Sequence, residues 1–102
     1  MQPFDIYNAE RDWKGCRDVR PWLVIDVRPN GTAGCFPISG ECYADSCFPW
    51  PINDPDLPAT GLKKTCYIHD ERIFDLEPDE FRSGRGVLTG RLLAEFRKFA
   101  GV

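Results

Sequence analysis

The chain has no long apolar run, no internal repeat and only one histidine. None of its apolar segments approaches the roughly 20 residues that a helix needs to cross a bilayer, so we expect no membrane span. The first residues, MQPFDIYNAERD, lack the basic start and the apolar region of a secretory signal, and we therefore expect a cytoplasmic protein. With no heptads or low-complexity tracts, the 102 residues predict one globular domain over 1–102.

Cysteine occurs five times, an odd number in a chain without a predicted signal, which argues against a disulfide framework. We expect reduced, buried thiols that pack as small hydrophobic side chains. The alternative is a small zinc protein, in which Cys42-x4-Cys47 combines with Cys66-x2-His69. Structural zinc sites usually have more closely spaced cysteine pairs, so no metal and no cofactor are expected.

The balance of charge is mildly acidic, with 13 Lys and Arg against 16 Asp and Glu, a net charge of −3. Broad, nonspecific binding of nucleic acid depends on many phosphate contacts and is disfavoured by this balance. A short basic groove on an acidic body remains compatible with it.

The first half of the chain predicts short strands. Phe4 to Ile6 alternate in polarity, residues 8–19 (NAERDWKGCRDV) are expected to form a loop, and Trp22 to Val27 form a strong strand because they are β-branched and aromatic. Pro29-Asn30-Gly31 is typical of a hairpin turn, and Ala33 to Ser39 (AGCFPIS) is predicted as the returning strand.

The second half begins with a long stretch, 40–64, in which prolines at positions 49, 51, 55 and 58 favour a loop. Residues 65–68 and 72–76 then predict one bent strand, broken at His69-Asp70-Glu71. A short helical turn is expected around 78–81.

A C-terminal helix is predicted by five apolar residues at helical spacing. Thr89 can serve as its N-cap, Arg91 and Glu95 can pair across one turn, and Gly101 can end it. The apolar face consists of Leu92, Leu93, Phe96, Phe99 and Ala100. Strands followed by one helix predict a small β-barrel or curled sheet capped by a helix.

Four segments in order resemble the PemK/MazF family of toxin endoribonucleases. The segment RPWLVID resembles the family's Arg-Pro-apolar strand, and GCFPIS resembles its second strand motif, which ends in Thr or Ser. GLKKTCYIHDERIFDL and RGVLTGRLLAEFRKF resemble the third block and the entry into the final helix. The resemblance covers roughly residues 4–100.

This resemblance implies an α+β, mainly β fold, a small SH3-like barrel with a C-terminal helix. It implies a homodimer that is neutralised by an antitoxin protein and that cuts single-stranded RNA without metal. In such cleavage the substrate 2′-hydroxyl is the nucleophile, and the products carry 2′,3′-cyclic phosphate and 5′-hydroxyl ends.

The resemblance also assigns candidate catalytic residues. Arg20 matches the motif arginine, and Pro21 restrains it at the head of a strand, where its planar fork of donors suits a phosphate. Ser39 matches the Thr/Ser position, although a turn-forming serine is the alternative. His69 lies where an acidic residue is expected, so either His69 or Asp70 is the candidate base.

The loop before Arg20 combines cations with an indole, a composition suited to RNA. A base can stack on the indole while the cations meet the RNA backbone, or the loop can be solvated with its indole packed. The expected RNA-binding residues are Arg11, Trp13, Lys14, Arg17 and Arg72.

A different class of function stays open. The domain can be a catalytically silent barrel that acts as a protein-interaction module. Its contact surface would then be the proline-rich stretch 48–58 with an exposed Trp50.

Overall fold

The computed structural model describes residues 1–42, 47–51 and 53–102. Within these ranges the chain forms strands, two short 3-10 helices (Pro58–Thr60 and Pro78–Glu80) and a C-terminal α-helix. The strands are β1 Asp5–Trp13, β2 Cys16–Val27, β3 Ala33–Ser39, β4 Phe48–Trp50, β5 Cys66–Ile68, β6 Phe74–Leu76 and β7 Phe81–Val87, and the helix is α1 Gly90–Ala100.

The strands form one antiparallel sheet in the order β4-β5-β3-β2-β1-β7, with β6 also paired to β3. No pairing joins β4 to β7 within the described ranges, so the sheet is open there rather than a closed barrel. The predicted class, α+β and mainly β with a C-terminal helix, is confirmed.

The predicted loop over 8–19 is wrong, because these residues extend β1 and β2 into a long hairpin. Pairing runs from Ile6 opposite Leu23 to Trp13 opposite Cys16. The two turn residues, Lys14 and Gly15, have φ values of 54° and 78°. Positive φ at both positions is typical of a type I′ hairpin turn, which matches the twist of the strands. Lys at the first position hides this turn from sequence patterns, since Asn or Gly is usual there.

The predicted strands on either side of the turn at 29–31 are confirmed as β2 and β3. Trp22 and Leu23 are neighbours on β2 yet belong to two different hydrophobic clusters, so both faces of the sheet are covered. A strand that is buried on both faces reads as a continuous apolar run, which accounts for WLVI and AGCFPIS.

The buried hydrophobic residues form two clusters, the helix-side core and the second core. The helix-side core consists of Ile6, Leu23, Phe36, Ile38, Phe48, Trp50, Leu57, Leu62, Cys66, Ile68, Leu88, Leu92 and Phe96. The second core consists of Ala9, Trp13, Trp22, Val24, Ala33, Cys35 and Leu76.

The broken strand predicted over 65–76 is confirmed. β5 pairs with the end of β3 at Ile38 and Ser39, and β6 pairs with its beginning at residues 33–35. Between them, the backbone N–H of His69 donates to the carbonyl oxygen of Pro37 at 3.0 Å. The break therefore holds His69 against the middle of β3.

The proline-rich stretch is partly regular, contrary to the prediction. Its residues 43–46 and 52 lie outside the described ranges, but β4 forms around Pro49. Proline is tolerated there because β4 is an edge strand whose free side needs no N–H. Trp50 is fully buried in the helix-side core, so the expected exposed Trp50 is wrong.

Strand β7 was not predicted, since FRSGRGV has little apolar periodicity. It pairs with β1, and its Gly86 lies against the 3-10 helix at residues 58–60. A Cβ on Gly86 would overlap the carbonyl oxygen of Ala59. The glycine thus permits a backbone contact that a larger residue would block.

The predicted helix is confirmed as α1, with Leu92 and Phe96 buried and Gly101 in the left-handed conformation at its C-terminus. Thr89 occupies the N-cap position, but its side chain makes no capping hydrogen bond. Instead, the carboxylate of Asp56 accepts from the backbone N–H of Leu92 at 3.1 Å. Within the described residues, no helix is long and apolar enough to span a membrane.

Contrary to the expectation of reduced thiols, two of the cysteines are oxidised. Cys42 and Cys47 form a disulfide, so these two thiolates are not available to the zinc site considered above. Cys35 and Cys66 are free and buried, as predicted, whereas Cys16 is free and exposed. Burial raises the pKa of the Cys35 thiol to about 12, which keeps it protonated.

Candidate functional site

A groove of about 890 Å³ opens between the first half of β2, the end of β3 and the residues that follow the 3-10 helix at 58–60. We call it the basic groove, because four cationic side chains line it against two carboxylates. The cations are Arg20, Lys63, Lys64 and Arg85, and the carboxylates are Asp18 and Glu41. On a chain with a net charge of −3, this is a local excess of positive charge.

Arg20 is held by packing more than by ion pairing. Its Cζ lies 4.8 Å from the centroid of the Trp13 ring, and only 18% of its side chain is exposed. Its one ion pair within the described residues is long, 3.7 Å to Asp18, and Asp18 is mostly exposed. Its Nε is buried and has no hydrogen-bond partner in the described part of the chain, so it is not accessible to a ligand. The two Nη groups, whose one ion pair there is the long contact with Asp18, keep donor capacity for an anion.

Ser39 also lines the groove, as its predicted role requires, but its hydroxyl is engaged in a turn. Its Oγ donates to the carbonyl oxygen of Glu41 at 2.5 Å and accepts from the Glu41 N–H at 3.4 Å. This is the geometry of a turn-forming serine. To donate to a phosphate, the hydroxyl would have to rotate away from Glu41.

The remaining cations of the groove were missed by sequence reasoning. Arg85 donates to the carbonyl oxygen of Gly61 at 2.9 Å and to Asn8 Oδ1 at 3.4 Å. Lys64 lies over Gly40, where an ideal Cβ would be 3.2 Å from its Nζ. Residues 63–64 and Arg85 are far apart in sequence, and only the contact between the 3-10 helix and β7 brings them together. The dipeptide Lys63-Lys64 was the one local signal available.

His69 lies outside the groove, in a second cavity of about 350 Å³ that we call the His69 pocket. Its ring contacts Trp13 edge to face, with centroids 4.9 Å apart, and only 4% of the residue is exposed. Burial lowers the pKa of His69, and hydrogen bonding to the Pro37 backbone together with the nearby carboxylate of Glu71 only partly offsets this effect. The imidazole is therefore neutral at pH 7 and can accept a proton.

Trp13 connects the two cavities, because it contacts Arg20 of the groove and His69 of the pocket. The indole was expected to stack on a base if exposed. It is instead buried, at 7% exposure, with Arg20 over its ring. The alternative reading, a packed Trp13, describes the structure.

The other predicted site residues divide into two groups. Lys14 and Arg72 line the His69 pocket with Trp13. Asp70 is half-buried beside His69 and lines neither cavity.

Two predicted RNA-binding cations are engaged elsewhere. Arg11 binds Glu80 at 2.9 Å and the carbonyl oxygen of Asp75. Arg17 binds Glu10 at 3.1 Å and contacts Asp12 at 3.6 Å. Neither lines the basic groove or the His69 pocket.

A scan against protein-family models found no match to this chain, and a search of curated proteins found none either. The chemistry of the groove and the pocket is therefore the basis for proposing a function.

Proposed function

We propose that this chain is a metal-independent endoribonuclease toxin of the PemK/MazF type that cleaves single-stranded RNA. The proposal includes an SH3-like barrel, a homodimer, a cytoplasmic location and a neutralising antitoxin protein. The observation that carries it is the position of Arg20, a cation whose side chain is only 18% exposed and which lines a groove with three further cations.

The basic groove suits a phosphodiester backbone. A flexible single strand needs cations spaced along a channel, and Lys63, Lys64 and Arg85 supply charge beside Arg20. Because Trp13 restrains the Arg20 guanidinium, little side-chain entropy remains to be lost when a phosphate binds.

Cleavage requires a proton acceptor, a proton donor and a stabiliser of the phosphorane. The 2′-oxygen attacks phosphorus as its proton passes to the base, and the bond from phosphorus to the 5′-oxygen breaks as that oxygen gains a proton. Arg20 is the proposed stabiliser of the charge on the phosphate oxygens. His69 and Asp70 remain the two candidates for the base, although His69 lies across Trp13 from the groove and Asp70 lies beside His69.

The interaction-module alternative loses one part of its proposed contact surface, because Trp50 is buried rather than exposed.

The test is cleavage of long RNAs in EDTA by the wild type and by Arg20→Ala. Removal of one stabilising donor typically lowers such rates by about 10²–10³-fold, and we expect a loss of that size. Lys98→Ala is the control, since Lys98 is exposed on α1 and lies outside both cavities, and its rate should stay within about twofold of wild type. The products should carry cyclic-phosphate and 5′-hydroxyl ends. A folded wild type that cuts none of several long RNAs would refute the proposal.

A further inference from the structure

The His69 pocket combines apolar walls with charges of both signs. Its apolar walls are Trp13, Pro37 and Phe74. The charged side chains at its rim include Lys14, Glu71 and Arg72. Its volume of about 350 Å³ is at the lower end of the range for small-molecule sites, which suits one flat ring system.

Of the four charged side chains that line this pocket, Asp12 contacts Arg17 at 3.6 Å, and the other three differ from it in their pairing. Within the described residues, the side chains of Lys14, Glu71 and Arg72 make no ion pair or hydrogen bond. Arg72 instead lies over the ring of Phe74, with Cζ 4.1 Å from the centroid, so its planar group is oriented by packing. A carboxylate and a guanidinium, both with open hydrogen-bonding capacity, therefore border one apolar cavity.

We propose that the His69 pocket binds a guanine base of the RNA substrate, an inference that rests on the proposed ribonuclease function. Guanine presents O6 and N7 side by side as acceptors, which matches the two-pronged guanidinium of Arg72. It also presents N1–H and the 2-amino group side by side as donors, which matches the two oxygens of the Glu71 carboxylate. The ring itself would lie in the cavity beside Pro37 and Phe74.

The same chemistry discriminates against the other bases. Adenine carries a single exocyclic amine and an acceptor at N1, so it offers the carboxylate one donor instead of two. Cytosine and uracil have no N7 and are smaller, so they leave the guanidinium without its paired acceptors. A site whose polar groups are left unpaired by the wrong ligand rejects that ligand strongly.

The pocket adjoins the groove in a way that fits one nucleotide chain. Trp13 is a wall of the pocket, and the Arg20 guanidinium lies on the same indole. A base in the pocket would thus be anchored beside the residue proposed to hold the phosphate. Recognition of guanine would in this way set where the backbone is cut.

Binding is tested with guanosine, adenosine, cytidine and uridine, none of which carries a phosphate that the basic groove could hold. His69 is the only histidine, so its ring resonances in an NMR titration report on this pocket without overlap. We expect guanosine to shift them and to bind at least about tenfold more tightly than adenosine, a preference of the size that one good bidentate pair provides. Equal binding of guanosine and adenosine, or no binding of any nucleoside, would overturn the proposal.

Substitutions in the pocket test the Glu71 carboxylate and the Arg72 guanidinium one at a time. Glu71→Gln should reduce guanosine affinity at least about fivefold and weaken the preference over adenosine, because an amide offers one acceptor in place of two. Asp79→Asn, an exposed acid that does not line the pocket, is the matched control and should leave binding unchanged. Arg72→Lys keeps the charge but loses the fork, and it should also reduce the preference. Variants that bind guanosine as the wild type does would overturn the assignment.

Failure of this inference is distinguishable from failure of the ribonuclease proposal. Cleavage in EDTA with no preference for guanine beside the cut leaves the ribonuclease and refutes the guanine pocket. Selective guanosine binding by a chain that cuts no RNA supports the pocket and refutes the ribonuclease.

Discussion

The guanidinium of Arg20 lies over the indole of Trp13, with 4.8 Å between Cζ and the ring centroid. This contact joins the charge of the basic groove to the second core, to which Trp13 belongs. The cation is therefore part of the folded interior and not a freely moving surface group.

Arg20→Lys tests whether geometry or charge matters at this position. Lysine keeps the positive charge but has neither the planar surface nor the paired donors. We expect RNA cleavage to fall at least about tenfold while the salt dependence of RNA binding is unchanged, because the number of cations is the same. Arg91→Lys, on α1 and outside both cavities, is the control and should match the wild type in both measurements. A fully active Arg20→Lys would contradict the proposed phosphate contact.

The lysines of the groove should contribute charge to binding. Lys63→Gln and Lys64→Gln are each expected to lower the slope of log K against log salt for single-stranded RNA by about 0.7, the value for one phosphate contact. The measurement is a fluorescence-anisotropy titration at several salt concentrations. Lys98→Gln, an exposed lysine on α1, should leave the slope unaltered. An equal effect of all three changes would mean that the groove is not the binding surface.

Gly86→Ala should be strongly destabilising. The added methyl group would overlap the Ala59 carbonyl, and overpacking of this kind costs about 1–3 kcal/mol or more. Gly84→Ala, two residues earlier on β7, is the control. Its Cβ would meet Tyr7 at an ordinary 3.6 Å, so we expect a change within about 0.5 kcal/mol. Urea unfolding of both variants measures the difference, and similar stabilities would contradict the close approach.

His69 should make the fold less stable in mild acid. Burial lowers its pKa in the folded state, so the unfolded chain, with a pKa of roughly 6.5, binds the proton first as the pH falls. Above about pH 6.5 both states are neutral and His69 contributes no pH dependence. Below it, stability is lost until the lower folded pKa is reached.

The measurement is urea unfolding of the wild type and of His69→Gln at pH 7.5 and 5.5. The wild type should lose more stability over this interval than the variant does, by up to about 1.4 kcal/mol, the limit for one proton over one pH unit. The acidic side chains are common to both proteins and cancel in the comparison. Equal losses would show that burial does not perturb His69.

The disulfide between Cys42 and Cys47 should stabilise the fold modestly. Closing so short a loop corresponds to about 2 kcal/mol in the chain-entropy account. Cys42→Ser with Cys47→Ser is expected to lower the free energy of unfolding by about that amount, measured without reductant. Cys16→Ser is the control, because Cys16 is exposed and free, and it should have little effect. A double variant with the same free energy of unfolding as the wild type would argue against the crosslink.

Local sequence patterns predicted those strands, turns and helices that are specified by their own residues. Continuous β-branched and aromatic residues predicted the centre of β2, the turn at 29–31 predicted its pairing with β3, and helical spacing predicted α1. The break at His69 followed from a polar interruption in an apolar strand. The start of α1 shows the limit, since its N–H at Leu92 is satisfied by Asp56, a residue distant in sequence.

The remaining features depend on contacts between distant residues. The hairpin at Lys14-Gly15 needs a positive φ that lysine rarely adopts, and β7 exists because β1 offers a partner and Gly86 permits close approach.

For the site, the sequence by itself predicted that Ser39 ends a strand, which is confirmed, and that Arg20 precedes one, whereas Arg20 lies within β2. It could not determine that Arg20 would share a groove with Lys63, Lys64 and Arg85 while His69 lay in another cavity. The positions of charged residues along a sequence do not show which other residues they will lie beside in the fold. Only the tertiary structure, through the packing of backbone against backbone, decided which of them share a surface.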